Sequence, residues 1–136
     1  MGRVYQARQL SLDKVVCVKV LHAGMNADPT LVGRFQREAR AASRLNHPNS
    51  ITVIDFGQDS SDGSLYLAME YVEGRDLRKV LDRGAKVEKP LSPLITAHAI
   101  ARIAAGLQYA HTRKNDQGEP LNIIHRDVSP HNILIS

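Results

Sequence analysis

His125-Arg126-Asp127-Val128-Ser129-Pro130-His131-Asn132 is the stretch that decides how this chain is read. It is polar and charged, and it lies between two short apolar segments, Ile123-Ile124 and Ile133-Leu134-Ile135, that read as strands. Asp, Ser, Pro and Asn are all turn formers, so a plain polar turn is one reading. His125, Asp127 and His131 offer a second, a metal site, with no other cluster at ligand spacing to support it. The third is phosphoryl transfer. There, Asp127 accepts the proton of an incoming hydroxyl, and the amide oxygen of Asn132 holds a magnesium ion.

Working outward, the chain places strands first and helices later. Val4 to Arg8 and Lys14 to Leu21 read as two strands joined by a turn at Ser11 to Asp13. Asp28 is a helix cap and Pro29 suits the first helical position, which predicts a helix to about Leu45, stopped by Asn46-His47-Pro48. Ile51 to Phe56 and Leu65 to Tyr71 form a predicted hairpin around the loop from Asp59 to Gly63. After Gly74 the character changes, with a short helix at Asp76 to Leu81 and a long one opened by Ser92-Pro93. Ile100, Ile103, Ala104, Leu107 and Ala110 recur at helical spacing along the long helix and define its expected buried face. Arg113 to Leu121 is a polar insertion.

Two charges break the apolar pattern. In Val15-Val16-Cys17-Val18-Lys19-Val20-Leu21, alternation puts Cys17 and Lys19 on one face, where a lysine must snorkel to water or meet an anion. On the first helix, Leu31, Phe35, Ala42 and Leu45 make a stripe that Glu38 completes, placing a carboxylate on the expected buried side. An edge-strand lysine and a boundary glutamate are the plain readings. A Lys–Glu pair is the functional one, because a buried ion pair adds little net stability.

Composition narrows the class. The 136 residues fit one domain by length, and 43% hydrophobic with 24% charged residues exclude a disordered tail or a disulfide-stapled miniprotein. The net charge of +4 is ordinary for a soluble domain, and four Tyr with two Phe leave little for a nucleic-acid stacking platform, so no nucleic-acid partner is expected. The single Cys17 cannot form an internal disulfide and suits a reducing compartment. No apolar run is long enough to span a membrane, no signal-peptide core is visible, and Gln6 argues against myristoylation at Gly2. The expected setting is cytoplasmic.

With these pieces in order, the chain resembles the protein-kinase family along essentially its whole length. Val16-Cys17-Val18-Lys19 is similar to the V-A-I-K strand, and His125-Arg126-Asp127 with Asn132 matches H-R-D-x-x-x-x-N at every fixed position. Glu38 falls where the family has its paired helix glutamate. Met69-Glu70-Tyr71-Val72 resembles the gatekeeper and hinge, and Gly2-Arg3-Val4 resembles the end of the glycine-rich loop. Val128-Ser129-Pro130-His131 and the preceding insertion look most like bacterial, eukaryotic-type (Hanks-type) serine/threonine kinases.

The resemblance implies roles. Lys19 would hold the α- and β-phosphates of ATP and Glu38 would hold Lys19. Asp127 would be the catalytic base and Asn132 would bind Mg2+. Gly2 would close the phosphate loop. Val4, Cys17 and Leu134 would sandwich the adenine beside Met69, backbone groups of Glu70 and Val72 would meet it at the hinge, and Asp76 would lie near the ribose. His125 is read as structural and Arg126 as the receiver of an activation-loop phosphate. Ser129 stands where the serine/threonine class usually has lysine, which leaves serine/threonine against tyrosine preference open.

The expected fold is therefore α+β and protein-kinase-like, truncated at both ends. Residues 1–70 form a β-rich small lobe with one long helix, lacking the first strand and most of the glycine-rich loop. Residues 71–136 form the hinge and a partial large lobe that ends after the catalytic loop. The expected function is transfer of the ATP γ-phosphoryl group to Ser/Thr hydroxyls of a protein substrate, poorly supported by this stretch alone because D-F-G and the activation loop are absent. The alternative is a non-catalytic kinase-like module that binds nucleotide or a protein partner. A small-molecule phosphotransferase of related fold is disfavoured by Arg126, where those enzymes usually carry glycine.

Overall fold

The computed structural model describes residues 3–22, 24 and 28–136, and the chain divides into two units, Met1–Tyr71 and Val72–Ser136. The first unit is built on β1 (Arg3–Gln9), β2 (Lys14–Leu21), β3 (Val53–Gln58) and β4 (Leu65–Glu70), with the helix α1 (Pro29–Ser43) between β2 and β3. The four strands form one antiparallel sheet in the order β1-β2-β4-β3. Register sets the chemistry of each face. Val4 lies opposite Lys19, which lies opposite Leu67, while Gln6, Cys17 and Met69 align in the next same-facing row. Lys19 and Cys17 therefore share a face, as alternation requires.

That face also carries the core. Leu21, Leu65 and Leu67 from the sheet bury against Phe35 and Ala39 of α1, with Val32, Val53 and Met69 packed around them. Each fully buried large apolar side chain contributes about 1.5–3 kcal/mol relative to exposure. Phe35 also meets the Phe56 ring, centroids 6.0 Å apart. Asp28 caps α1 by accepting the Thr30 N–H at 2.8 Å, with Pro29 as the first helical residue. The helix ends at Ser43, a little short of the expected Leu45. Arg44 and Leu45 instead donate to Ala41 and Ala42 in tightened last-turn bonds.

The predicted strand from Ile51 is corrected to Val53–Gln58. The Glu70 N–H still donates to the Thr52 carbonyl at 2.9 Å, but the Thr52 N–H goes to the Glu70 carboxylate at 2.6 Å instead of to a backbone carbonyl, so the regular ladder begins at Val53. Ile54 is a bulge residue, since Val53 pairs with Met69 and Asp55 with the adjacent Ala68.

The second unit contains β5 (Arg75–Asp76), α2 (Leu77–Lys86), α3 (Pro93–Thr112) and β6 (Leu134–Ile135). Asp76 is the cap of α2 rather than its first residue, accepting the Lys79 N–H at 2.9 Å, and the helix runs past the expected Leu81. Ser92 caps α3 through the Ile95 N–H. The expected buried face of α3 is only half right. Gly106 and Ala110 are buried and Ile103 and Leu107 half-buried, but Ile100 is 60% exposed and Ala104 is also exposed. The most buried positions are the small residues Gly106 and Ala110, and the larger Ile100 lies outside that line.

Arg113 to Leu121 folds back on itself, with Leu121 donating to the Arg113 carbonyl and Asn115 to that of Glu119. The Asn115 side chain binds both limbs: its oxygen accepts from the backbone of Gln117 and Glu119, and its nitrogen donates to their side chains. Ile123-Ile124 is not a strand. Asn122, at φ 50°, breaks the extended run, Ile124 is 61% exposed, and the pairing partner of β6 is β5 instead. Among the described residues no helix is long and apolar enough to cross a membrane.

Candidate active site

Each unit carries one group of the expected site residues. In the first unit, β2 presents Lys19 towards α1, and its Nζ donates to Glu38 Oε2 at 2.9 Å. The same ammonium stands over the Phe35 ring, 5.6 Å from the centroid. Phe35 thus acts both as a core residue and as a wall for the lysine, a contact that the sequence pattern does not reveal.

The position of Glu38 is corrected. It is not on the buried side of α1, where Phe35 and Ala39 point, but at the boundary, with its side chain 50% exposed against 29% for Lys19. An ion pair this accessible to water is worth at most about 1 kcal/mol. The spacing misleads because the true inward row is centred on Phe35 and Ala39.

Val4, Cys17 and Met69 share the Lys19 face. Val4 is 61% exposed, while Cys17 is half-buried and its burial pushes the thiol above the ordinary cysteine range. At the end of β4 the Glu70 N–H and carboxylate are both committed to Thr52. Gly2 lies outside the described residues.

In the second unit the polar loop has a defined internal geometry. Pro130–Asn132 forms a single 3-10 turn closed by the Asn132 N–H on the Ser129 carbonyl at 3.0 Å. The Asn132 side-chain nitrogen donates to the Asp127 carbonyl at 3.0 Å and to Asp127 Oδ2 at 2.8 Å. With both amide hydrogens directed at Asp127, the Asn132 oxygen is left to accept a hydrogen bond or to offer a lone pair to a cation. His125 Nδ1 accepts the Asp127 N–H at 3.3 Å, which supports the loop from within. Arg126 takes φ 61°, a left-handed conformation that a non-glycine residue adopts at a cost of about 1–3 kcal/mol and that concentrates at functional sites. Among the described residues, no three His, Cys, Asp or Glu side chains gather at metal-ligand spacing, so His125, Asp127 and His131 do not stand together as a three-ligand cluster.

Leu134 lies in β6 directly opposite Asp76. Beyond capping α2, the Asp76 carboxylate pairs with Lys79 Nζ at 2.9 Å, and the side chain is 14% exposed. Hydrogen bonds from the Lys79 side chain and backbone, helped by the charges of Lys79 and His131, hold Asp76 below the usual aspartate range. Val72 is half-buried in the irregular segment before β5.

An ion-paired strand lysine, a carboxylate and amide bound together in a polar loop, and a small antiparallel sheet with one core helix define the class. The protein kinase domain family matches residues 1–136, and the chain belongs to that family. It is 49% identical to the serine/threonine-protein kinase pkn3 of Myxococcus xanthus, over 99% of this chain and 22% of that protein. It is 40% identical to PknB of Mycobacterium tuberculosis, over all of this chain and 20% of that protein, and 36% identical to PrkC of Bacillus subtilis, over 99% and 19%. The crystal structure of the M. tuberculosis PknI kinase domain superposes with a TM-score of 0.75 at 33% identity, covering 98% of this chain and 49% of that one. The chain thus spans about a fifth of these curated relatives and about half of the solved kinase domain. The fold is a partial protein-kinase fold.

Proposed function

We propose that this chain supplies the ATP-positioning and catalytic-loop portion of a serine/threonine protein kinase, which transfers the γ-phosphoryl group of ATP to a protein hydroxyl. The observation that carries the proposal is the Asn132–Asp127 hydrogen-bonded pair, which orients a carboxylate and leaves an amide oxygen available five residues on. Asp127 accepts the proton of the substrate hydroxyl as its oxygen bonds to the γ-phosphorus and the bond to the β-phosphate oxygen breaks. Such a base is typically worth about 10²–10⁴-fold in rate. Lys19, steadied by Glu38 and the Phe35 ring, neutralises the α- and β-phosphates. In the first unit this reading assigns Val4, Cys17 and Met69 to the adenine, a Glu70 backbone group to the hinge and Gly2 to the phosphate loop; in the second it assigns Leu134 to the adenine, a Val72 backbone group to the hinge and Asp76 to the ribose.

The donor chemistry at Asn132 fits magnesium, because Mg2+ takes oxygen ligands and completes its shell with phosphate and water. When bound, the ion neutralises charge on the transferring phosphates. The relatives' names support Ser/Thr as the acceptor class. The test is ATP-dependent phosphorylation of a generic protein substrate, with phosphoamino-acid analysis, by the protein and its Asp127→Asn and Lys19→Met variants. Asp127-dependent phosphoserine or phosphothreonine is expected. Nucleotide binding without Asp127-dependent transfer would replace this reading with a binding module.

A further inference from the structure

A short clasp ties the start of α2 to the chain that leaves the polar loop. Arg75 pairs with Ile135 and Asp76 with Leu134, and the Leu77 N–H donates to the Ile133 carbonyl at 2.8 Å. Asn132 is the next residue along, and its side chain holds Asp127. The clasp therefore reaches Ile133, the immediate neighbour of the hydrogen-bonded pair.

Gly74 immediately precedes this clasp. A Cβ placed on it would collide with the Ile135 carbonyl oxygen and lie 2.8 Å from the Ile135 carbonyl carbon and 3.0 Å from Ser136 Cα. All three are backbone atoms, so no side chain can rotate away. Gly63 and Gly118 differ, since they take φ 75° and 83° and serve turns with no backbone so close to their missing Cβ. At Gly74 glycine is required by proximity.

We propose that Gly74 is a positioning residue for the Asp127–Asn132 pair: its missing side chain lets β5 and β6 close, and this closure sets where Asn132 stands. The proposal rests on the roles assigned to Asp127 and Asn132 above. Adding a methyl group forces β6 back until its carbonyl clears the new carbon, and Ile133 and Asn132 move with it. A displacement of about 1 Å at a reacting group can cost on the order of 100-fold in rate.

The test compares the protein with Gly74→Ala, Leu77→Pro and Leu77→Ala. Proline is tolerated at the first helical position, and Asp76 at φ −64° and ψ 146° already has the extended backbone that precedes proline. Leu77→Pro therefore removes the bond to Ile133, while Leu77→Ala removes only the side chain. The readouts are kcat for protein phosphorylation, and the Asn132 side-chain amide signals in a nitrogen-15 spectrum, assigned by their loss in Asn132→Asp. Gly74→Ala is expected to lower kcat about 10- to 100-fold and to move the Asn132 signals. Leu77→Pro is expected to move the same signals and Leu77→Ala to leave them in place. Unmoved Asn132 signals in Gly74→Ala overturn the proposal, whatever happens to kcat. If Gly74→Ala does not fold, the contrast between the two Leu77 variants decides in the same way. If the unaltered protein transfers no phosphate, the kinase reading fails, while the amide signals still decide whether the clasp positions Asn132.

Discussion

The Lys19–Glu38 pair separates stability from function by a measurable margin. Its side chains are 29% and 50% exposed and the ions are 2.9 Å apart. Water screens a pair this open, so the coupling in a double-mutant cycle of Lys19→Met, Glu38→Gln and the double variant should be about 0.2–1 kcal/mol by urea unfolding. The effect on nucleotide is expected to be larger. A hydrogen bond to a charged group is worth about 1.5–3 kcal/mol, and 1.4 kcal/mol is tenfold, so Lys19→Met should weaken ATP binding by about 10- to 150-fold in calorimetry. Glu38→Gln keeps one hydrogen-bond acceptor for Lys19 and should weaken ATP less. A stability coupling above about 2 kcal/mol would make the pair structural and refute this reasoning. So would an ATP affinity in Lys19→Met within threefold of the original.

Phe35→Ala removes a core ring that also walls Lys19, and should cost about 3–5 kcal/mol in denaturant unfolding. The Cys17 thiol, raised by burial, should alkylate slowly at neutral pH and faster as pH climbs through and beyond the ordinary cysteine range. A bound ATP analogue should slow the reaction further, as rates with and without nucleotide will show. Asp76 has a depressed carboxyl pKa in the folded chain, so its contribution is fully present above the ordinary aspartate value of about 4 and fades as pH falls through the lower folded value. Asp76→Asn should therefore flatten the acid limb of the stability curve measured by circular dichroism and leave the neutral region's slope unchanged.

What the sequence makes legible here is local. The polar loop packs its carboxylate, its amide and its turn formers into eight consecutive residues, and β2 shows its face by simple alternation. Caps at Asp28 and Ser92 are equally local, since each binds a backbone N–H within three residues. Illegible features depend on partners remote in sequence. Ile123-Ile124 has strand-forming side chains but no strand to pair with, because β6 is taken by β5. Ile51 looks like a strand start, yet the Thr52 N–H goes to the Glu70 carboxylate and the ladder begins only at Val53. The buried line of α3 goes through Gly106 and Ala110, and small residues leave a faint trace in a hydrophobic pattern. Gly74 reads as a break in the chain until the Ile135 carbonyl is found beside it.

These observations also explain why the site residues are poor stabilisers. Lys19 and Glu38 form a screened pair, Arg126 adopts a conformation that costs energy, and the Asp127 carboxylate is bound by an amide rather than a cation. A chain selected for stability alone would replace each of them cheaply: an apolar residue at 19, glycine at 126, a simpler turn in place of 127–132. The core that does stabilise the first unit, Leu21, Leu65 and Leu67 on the Lys19 face of the sheet with Phe35 of α1 packed against them, walls Lys19 through the Phe35 ring. In the second unit the corresponding support is backbone, the β5–β6 pairing and the Leu77 bond to Ile133. Changes to these supports should therefore alter activity through geometry, and changes to the charged groups should alter activity while leaving the fold nearly as stable as before.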